Sequence, residues 1–278
     1  MANRVSTREL GLILAARLLK TEHLHYGLWR PDLEVTAANL PRAQEAYVER
    51  LLAMIPAGVR TILDVGCGTG GVAQRLLAAG YTVEAISPSP PLTELVRRKL
   101  GPHFQVYSTT LEGFNASRTY DLVLFSESFQ YVPLRESLPK VASLLAPGGH
   151  ALICDFFATD VPGTSALRGG HRLSTFRALL TEHPFRVVAD DDVTPAVAPN
   201  LALVDAWLTD YALPVWETLG YWLRARHPWL ARLGRRLFRR RLERLAFKYF
   251  SHQRTPETFA RFKSYRFILL QRTEAPPP

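Results

Sequence analysis

Three glycines at alternate positions form the motif of this sequence that is most typical of ligand binding. Gly66, Gly68 and Gly70 follow an apolar run that ends at Val65, and a helical pattern over 72–79 comes next. Glycines let the backbone turn tightly and let a ligand approach the chain closely. The helix then presents free N–H groups and the positive end of its dipole. A strand, a glycine loop and a helix in this order predict an adenine cofactor at the carboxyl end of the strand.

The loop alone leaves two cofactor classes open. Gly66, Gly68 and Gly71 also satisfy the dinucleotide spacing G-x-G-x-x-G. That fingerprint requires an acidic residue about 20 positions later, at the end of the second strand. Glu84 falls in the middle of the second predicted strand, and Ser87 stands at its end. The sequence therefore disfavours a nicotinamide oxidoreductase, which stays an alternative.

Strand and helix patterns alternate on both sides of this loop. Strands that alternate with helices are joined by crossovers, which predicts a largely parallel sheet covered on both faces. Two further helices are predicted before the first strand, over 7–20 and 41–54. The predicted strands are 60–65, 81–86, 104–107, 120–125, 150–154, 185–189 and 265–271, and the helices between them are 72–79, 92–100, 134–145 and 173–182.

The composition is that of an ordinary globular protein. Apolar residues make up 47% and charged residues 21% of the 278, which excludes disorder and allows a full hydrophobic core. Two cysteines cannot build a disulfide framework. No apolar run approaches the roughly 18 residues of a membrane span, and Arg17 interrupts the leucine-rich start, which favours an amphipathic helix over a signal peptide. We therefore expect a cytoplasmic enzyme.

The net charge of +9 is concentrated in one segment. Residues 224–248 hold nine arginines and Lys248 against one acid, Glu243, so the rest of the chain is formally neutral. Charge confined to one helix without a binding motif disfavours nucleic acid as a partner. Three interpretations of the helix 228–250 stay open: a lid whose leucines pack on the core, a basic amphipathic helix that attaches the protein peripherally to an anionic membrane surface, or a basic helix that attracts an acidic substrate.

Four motifs together resemble those of class I S-adenosylmethionine-dependent methyltransferases. The glycine loop reads LDVGCGTG over 63–70, and the later motifs lie at 120–128, 144–149 and 265–271. The resemblance implies an α/β, Rossmann-like, doubly wound sheet of seven strands, whose last strand inserts antiparallel between strands five and six. It also implies S-adenosyl-L-methionine as the methyl donor and S-adenosyl-L-homocysteine as the product.

A second resemblance, at the segment 25–29 (HYGLW) and at 192–197 with the helices after it, is to the small-molecule branch of that superfamily. That branch includes tocopherol, sarcosine, sugar and cyclopropane-fatty-acid methyltransferases. It implies a small-molecule acceptor, expected to be lipophilic or aromatic; a lipid, quinone or isoprenoid acceptor at a membrane surface is the alternative. The expected organisation is an N-terminal helical lid (1–55), a cofactor-binding core (56–194), a helical substrate cap (195–262), the last core strand (263–272) and a disordered tail (273–278).

The resemblance also implies which residues hold the donor, and here the sequence departs from the family at one position. Most relatives carry a carboxylate at the end of strand two, where this chain has Ser87, and a neutral acceptor is roughly half as strong as a charged one. Cyclopropane-fatty-acid enzymes share that hydroxyl. The expected cofactor-binding residues are Asp64, Gly66, Gly68, Gly70, Ser87, Ser89, Thr110, Leu111 and Ser126.

Methyl transfer from a sulfonium is a direct displacement, so a general base is needed only when the acceptor is protonated at working pH. The candidate catalytic residues are Glu127, His171 and Tyr26, and the candidate substrate-binding residues are His25, Gln130, Tyr131, Trp207 and Tyr211. Each also has a plain interpretation as a packing or surface residue. Some relatives have Glu-His where this chain has Gln130-Tyr131, so that histidine's role does not carry over. The histidines are scattered and no Cys-x-x-Cys or His-x-x-x-His pair occurs, so we expect no metal site.

Overall fold

The computed structural model describes residues 23–163, 165–250 and 254–274, without side chains at 235, 241 and 244–250. The predicted helix over 7–20 and the end of the predicted tail lie outside these residues. The chain divides into two compact units. The core unit takes in the chain up to Asp160, Gly169–Val197 and the chain from Lys263 onward; the helical unit consists of Val161–Arg168 and Ala198–Phe262.

A single seven-stranded sheet organises the core unit. Its order is β3-β2-β1-β4-β5-β7-β6, and β7 runs antiparallel to both β5 and β6. The predicted doubly wound sheet with an inserted antiparallel last strand is therefore confirmed. The strands are β1 Thr61–Val65, β2 Thr82–Ser87, β3 Val106–Ser108, β4 Tyr120–Ser126, β5 Leu145–Ala158, β6 Phe185–Asp192 and β7 Lys263–Arg272.

Helices on both sides of the sheet follow from amphipathic sequence patterns and local caps. At the start of α3, the Ser89 hydroxyl accepts from the backbone N–H of Leu92 at 3.5 Å, and two prolines occupy the first turn, as is typical of helix starts. A cluster of buried aromatic rings, including Phe125, Phe129 and Phe176, fills one side of the sheet. The helices are α1 Leu40–Ala53, α2 Gly71–Ala78, α3 Pro90–Leu100, α4 Leu134–Leu144, α5 Leu173–Leu180 and α6 Thr194–Val197.

The helical unit contains four helices and one π-helical turn, Leu208–Ala212. The helices are α7 Asn200–Trp207, α8 Leu213–Arg226, α9 Pro228–Phe250 and α10 Pro256–Phe262. Among the described helices of the chain, none is long and apolar enough to cross a bilayer.

Two strands, β5 and β7, begin earlier than predicted, whereas β3 begins two residues later and β6 ends three residues later. β5 begins at Leu145, inside the motif predicted as a turn, because Leu145 already pairs with Tyr120 before the register shifts to Leu122 and His150. β7 begins at Lys263, two residues early, because Lys263 and Ser264 pair with Ala158 and Phe157 of β5 and are buried there. Polar side chains at a buried strand end interrupt the apolar pattern on which sequence prediction depends.

Candidate active site

The glycine loop lies at the carboxyl end of β1 and packs closely against the end of β2 and against Ser128. Gly66, Gly68 and Gly70 all have positive φ, at 80°, 54° and 79°. The Gly66 N–H donates to the Ile86 carbonyl at 2.8 Å, which ties the loop to β2. A Cβ on Gly66 would lie only 2.5 Å from the Ser128 Cβ. Only glycine therefore fits at position 66, both for its backbone angles and for this close approach.

Asp64 is a buried carboxylate without a hydrogen-bond donor. It lies on β1 beside the loop, where its charge helps to raise the pKa of the buried Cys67 thiol. Within the described residues, neither carboxylate oxygen of Asp64 has a hydrogen-bond partner, and burial raises the pKa of Asp64 to about 7. Buried polar groups are nearly always satisfied. Two unsatisfied acceptors beside a glycine loop suit a ligand that brings several N–H donors.

Serine hydroxyls close the end of β2. The Ser87 hydroxyl is buried and accepts from the backbone N–H of Ser89 at 3.3 Å, and no described acceptor takes its proton. Ser89 is occupied as the cap of α3. After β3, Thr110 is exposed and its hydroxyl accepts from the Gly113 N–H at 3.3 Å, whereas Leu111 is buried. Each of the two serine hydroxyls accepts one N–H bond, so each keeps a proton that could be donated to a ligand.

Glu127 follows β4 in a strained backbone conformation. Its φ of 55° makes it the only non-glycine residue with positive φ in the described part of the chain, and such outliers cluster at functional sites. Its Oε1 accepts from the Tyr26 backbone N–H at 2.7 Å and from the Tyr265 hydroxyl at 2.9 Å. The carboxylate thus joins the segment before α1 to β7.

A chain of hydroxyls leads away from Glu127 into the core. The Tyr265 hydroxyl lies 3.2 Å from that of Tyr47, which lies 3.0 Å from Ser126 Oγ. Burial raises the pKa of both phenols well above their usual value. Each hydroxyl has one proton: that of Tyr265 can be donated to Glu127 or to Tyr47, and that of Tyr47 can be donated to the Cys154 carbonyl at 3.4 Å. Ser126 is therefore a member of this network at the end of β4.

His25 is a buried neutral imidazole next to the same network. Its ring stacks on Tyr47 with centroids 4.1 Å apart, and its Nδ1 donates to the Tyr26 carbonyl at 2.8 Å. Burial, helped by neighbouring His23, lowers the pKa of His25 to about 3. Its Nε2 is buried without a partner. The adjacent Leu24 comes within 3.4 Å of a Cβ placed on Gly68, so this segment covers the glycine loop.

Gln130 and His171 are held by hydrogen bonds to neighbouring groups. Gln130 donates from its backbone N–H and from Nε2 to Asp155, both at 3.0 Å. His171 Nε2 donates to the Phe129 carbonyl at 3.1 Å, which leaves Nδ1 as the ring's acceptor. Both side chains therefore stabilise the short 3₁₀ turn Phe129–Tyr131 that follows β4.

Two buried ionisable groups at this edge escaped the sequence prediction. Burial raises the pKa of Asp155, on β5, to about 7. Lys263, at the start of β7, donates to the Gly169 carbonyl and lies 5.4 Å from the Phe156 ring centre, and burial lowers its pKa. Two features of the sequence could have indicated them: an acid inside the apolar run 151–157, and a lysine two residues before the predicted last strand 265–271.

The three remaining predicted substrate residues are exposed. Tyr131 is exposed at the end of its 3₁₀ turn, and Trp207 and Tyr211 are exposed within the helical unit. By contrast, the segment 25–26, Ser126 and Glu127 lie together at one edge of the sheet. Throughout the described ranges, no three His, Cys, Asp or Glu side chains cluster as a metal site requires.

The inserted antiparallel strand and the glycine loop after β1 define a Rossmann-like domain of the class I methyltransferase type. Residues 37–249 match the family model described as a methyltransferase domain. The chain belongs to this family of methyltransferase domains, which confirms the resemblance found in the sequence.

Curated relatives share the core motifs. An uncharacterized methyltransferase of Mycobacterium tuberculosis is 32% identical over 97 residues, or 35% of this chain and 40% of the relative, so the chain spans less than half of that protein's length. An O-methyltransferase of Pyrenophora dematioidea is 25% identical over 201 residues, 66% of this chain and 75% of the relative.

A solved structure shows the same fold over nearly the whole chain. Geranyl diphosphate C-methyltransferase from Streptomyces coelicolor A3(2), in complex with Mg²⁺, geranyl-S-thiolodiphosphate and S-adenosyl-L-homocysteine, superposes with a TM-score of 0.65. The superposition covers 98% of this chain and 95% of the other at 15% identity. At that identity the likeness establishes the fold.

Proposed function

We propose that this chain binds S-adenosyl-L-methionine and transfers its methyl group to a small, lipophilic or aromatic molecule. The observation that carries the proposal is Asp64, whose two buried oxygens lack donors beside a positive-φ glycine loop. The methionine end of the donor carries an ammonium with three N–H bonds. A charge-assisted bond to that ammonium would satisfy Asp64. Structurally similar geranyl diphosphate C-methyltransferase holds the demethylated donor, which agrees with this choice.

The other loop residues fit the same ligand. Gly66 and Gly68 allow a close backbone approach, and Ser87 has a buried hydroxyl proton to offer a ribose oxygen. Leu111, buried after β3, offers an apolar contact to the adenine ring. In this proposal Ser89 supports the site as the cap of α3, and Thr110 lies at its exposed margin.

A nicotinamide cofactor would need a carboxylate at the end of β2 to bind its ribose, and Glu84 does not meet that requirement. Glu84 lies mid-strand and is bound by Arg118 at 2.6 Å, by the Tyr120 hydroxyl at 2.7 Å and by the Tyr107 hydroxyl at 3.3 Å. A carboxylate held by three partners away from the strand end is not placed to bind the ribose of a dinucleotide. The glycine loop therefore favours the methyl donor.

When bound, the donor supplies a methyl group activated by its sulfonium, and the residues of this chain orient the acceptor and exclude water. We assign Glu127 a positioning role, since its Oε1 already accepts hydrogen bonds from Tyr26 and Tyr265. His25 Nε2 could accept a hydrogen bond from a hydroxyl or amine of the molecule that receives the methyl group. His171, through Nδ1, remains the candidate base for an acceptor that must lose a proton.

The experiment that tests the proposal compares ligands by calorimetry. S-adenosyl-L-methionine and S-adenosyl-L-homocysteine should bind one per chain, and NADH should not. Gly68→Val should abolish binding, because a β-branched residue is strained at a φ of 54° and its side chain takes up the space in which the donor approaches the backbone. A screen of metabolites with labelled donor then identifies the acceptor. Binding of NADH without binding of either methionine derivative would overturn the proposal.

The alternative acceptor, a lipid, quinone or isoprenoid at a membrane surface, is favoured by one feature of the helical unit. Its helices α8 and α9 expose apolar and basic side chains together. Transfer of labelled methyl to vesicle-borne quinones or isoprenoids, but not to water-soluble phenols, would select this acceptor class.

A further inference from the structure

Helices α8 and α9 of the helical unit expose an unusual amount of apolar surface. No residue of α8 is buried, although it carries two tryptophans and three leucines. On α9, Trp229 is 64% exposed, Leu233 47% and Leu237 65%. Single exposed apolar residues are common on protein surfaces, but contiguous rows mark interaction sites.

Most exposed apolar residues of each helix share one face. At 3.6 residues per turn, four of the five on α9 fall within an arc of about 100°, and Phe238 lies outside it. Five of the six on α8 fall within about 120° by the same geometry, and Tyr221 lies outside it. The residues concerned are Trp229, Leu230, Leu233 and Leu237 on α9, and Val215, Trp216, Leu219, Trp222 and Leu223 on α8.

Basic side chains lie directly beside the apolar row of α9. Arg232, Arg236 and Arg239 are exposed and occupy the adjoining arc of the helix. Arg224 and Arg226 are exposed at the end of α8. The acids with described side chains on these two helices are Glu217 and Glu243, and Glu243 lies 3.9 Å from Arg239. The surface is therefore apolar and strongly cationic at once.

Three other interpretations fit these observations poorly. A lid helix packed on the core requires buried leucines, but Leu233 and Leu237 are exposed. Pairing with a second copy of the chain would bring like-charged arginine rows together, which is unfavourable. Nucleic acid would satisfy the arginines through phosphate contacts but leave the row of tryptophan and leucine side chains unused.

We propose that α8 and α9 bind an anionic lipid surface, with the apolar rows at the headgroup–acyl boundary and the arginines among the headgroups. Tryptophan and arginine are the residues that membrane-surface helices use in these positions. Each arginine near an anionic leaflet strengthens partitioning about fivefold. This inference rests on the helical unit alone and is independent of the proposed methyl transfer.

The test is sedimentation of the full chain with phosphatidylcholine vesicles that contain or lack 30% phosphatidylserine. We expect binding to the anionic vesicles at low salt, a blue shift of tryptophan fluorescence, and release at 0.5 M NaCl. The variant Arg232→Gln/Arg236→Gln/Arg239→Gln should bind roughly 100-fold more weakly. A matched triple, Arg42→Gln/Arg98→Gln/Arg135→Gln, removes the same charge from exposed sites of the core unit and should bind like the wild type.

A second variant, Trp229→Ser/Leu237→Ser, tests the apolar row. Because both side chains are exposed, the variant should keep its circular dichroism and its methyl-donor binding while losing vesicle binding. Equal loss in both arginine triples would reduce the effect to net charge and overturn the proposal. Two further results would overturn it. In the first, vesicles do not bind and the chain forms a dimer that the apolar variant dissociates. In the second, vesicles do not bind and the chain binds RNA in a way that the α9 triple abolishes.

Discussion

The Glu127 carboxylate accepts a hydrogen bond from the backbone N–H of Tyr26, 2.7 Å away and 101 positions earlier in the chain. The same oxygen accepts from Tyr265 of β7. One side chain, on a residue with positive φ, therefore connects the segment that covers the glycine loop to β7. Its position suits a residue that holds the covering segment over the donor.

Substituting Glu127 separates a positioning role from a base. Glu127→Gln keeps an oxygen that accepts both bonds, so we expect donor affinity and turnover within about threefold of the wild type. Glu127→Ala removes the acceptor of two hydrogen bonds, so it should cost about 1–3 kcal/mol of stability and weaken binding of the methyl donor. Thermal unfolding, calorimetry and kcat measure the three effects. A glutamine variant that binds donor normally but has lost its turnover would identify Glu127 as the base instead.

Ser87→Ala tests the hydroxyl that replaces the family's carboxylate at the end of β2. We expect the Kd for S-adenosyl-L-homocysteine to rise about fivefold, which corresponds to the roughly 1 kcal/mol net value of a neutral hydrogen bond. The control is Ser143→Ala, which removes an exposed hydroxyl bonded only to Lys140 of the same helix. If calorimetry gave the same Kd for both variants as for the wild type, Ser87 would have no part in ribose binding.

Asp64 should make both stability and donor binding depend on pH. Its pKa is raised from 3.8 to about 7 by burial, so the folded chain holds this proton more tightly than the unfolded chain. The stability it contributes is full below pH 3.8 and is lost as the pH rises through 7, on the order of 4 kcal/mol. Asp64→Asn should therefore unfold at higher denaturant concentration than the wild type at pH 8, but not at pH 4.

The same substitution should weaken binding of S-adenosyl-L-homocysteine. Wild-type affinity should rise between pH 6 and 8, because the ammonium of the ligand favours the ionised carboxylate. The asparagine variant should show a weak affinity without that rise. A wild-type Kd that is constant over this range would show that Asp64 does not meet the ammonium.

The sequence predicted the sheet and the loop because both depend on local patterns. The run 61–65 and the glycines at 66, 68 and 70 specify a strand and a tight turn by their residue types alone. The antiparallel last strand came from the resemblance, since no local pattern states between which neighbours a strand inserts.

The hydrogen-bond partners at the site depend on contacts between distant segments. Nothing near Glu127 in the sequence indicates that Tyr26 and Tyr265 donate to it, and the burial of Asp155 follows from its place between β4 and β7. The exposure of Leu233 and Leu237 could not be predicted from the sequence either. A helical wheel shows which face of a helix is apolar, but it does not show whether another element packs on that face.

The glycine at position 66 can be tested with an unusually close control elsewhere in the chain. Gly66 and Gly58 have nearly the same φ, 80° and 88°, but a Cβ on Gly66 meets Ser128 at 2.5 Å, whereas a Cβ on Gly58 meets nothing within 4 Å. Both alanine variants carry the backbone strain of about 1–2 kcal/mol. Gly66→Ala alone must also displace Ser128, whose hydroxyl donates to the Val65 carbonyl.

We therefore expect Gly58→Ala to lower the unfolding free energy slightly and to keep donor binding. Gly66→Ala should lose more stability and bind S-adenosyl-L-homocysteine at least tenfold more weakly. Chemical denaturation and calorimetry on the two variants measure the difference; equal losses of stability with unchanged donor affinity would mean that the close approach of the loop to Ser128 plays no part in shaping the site.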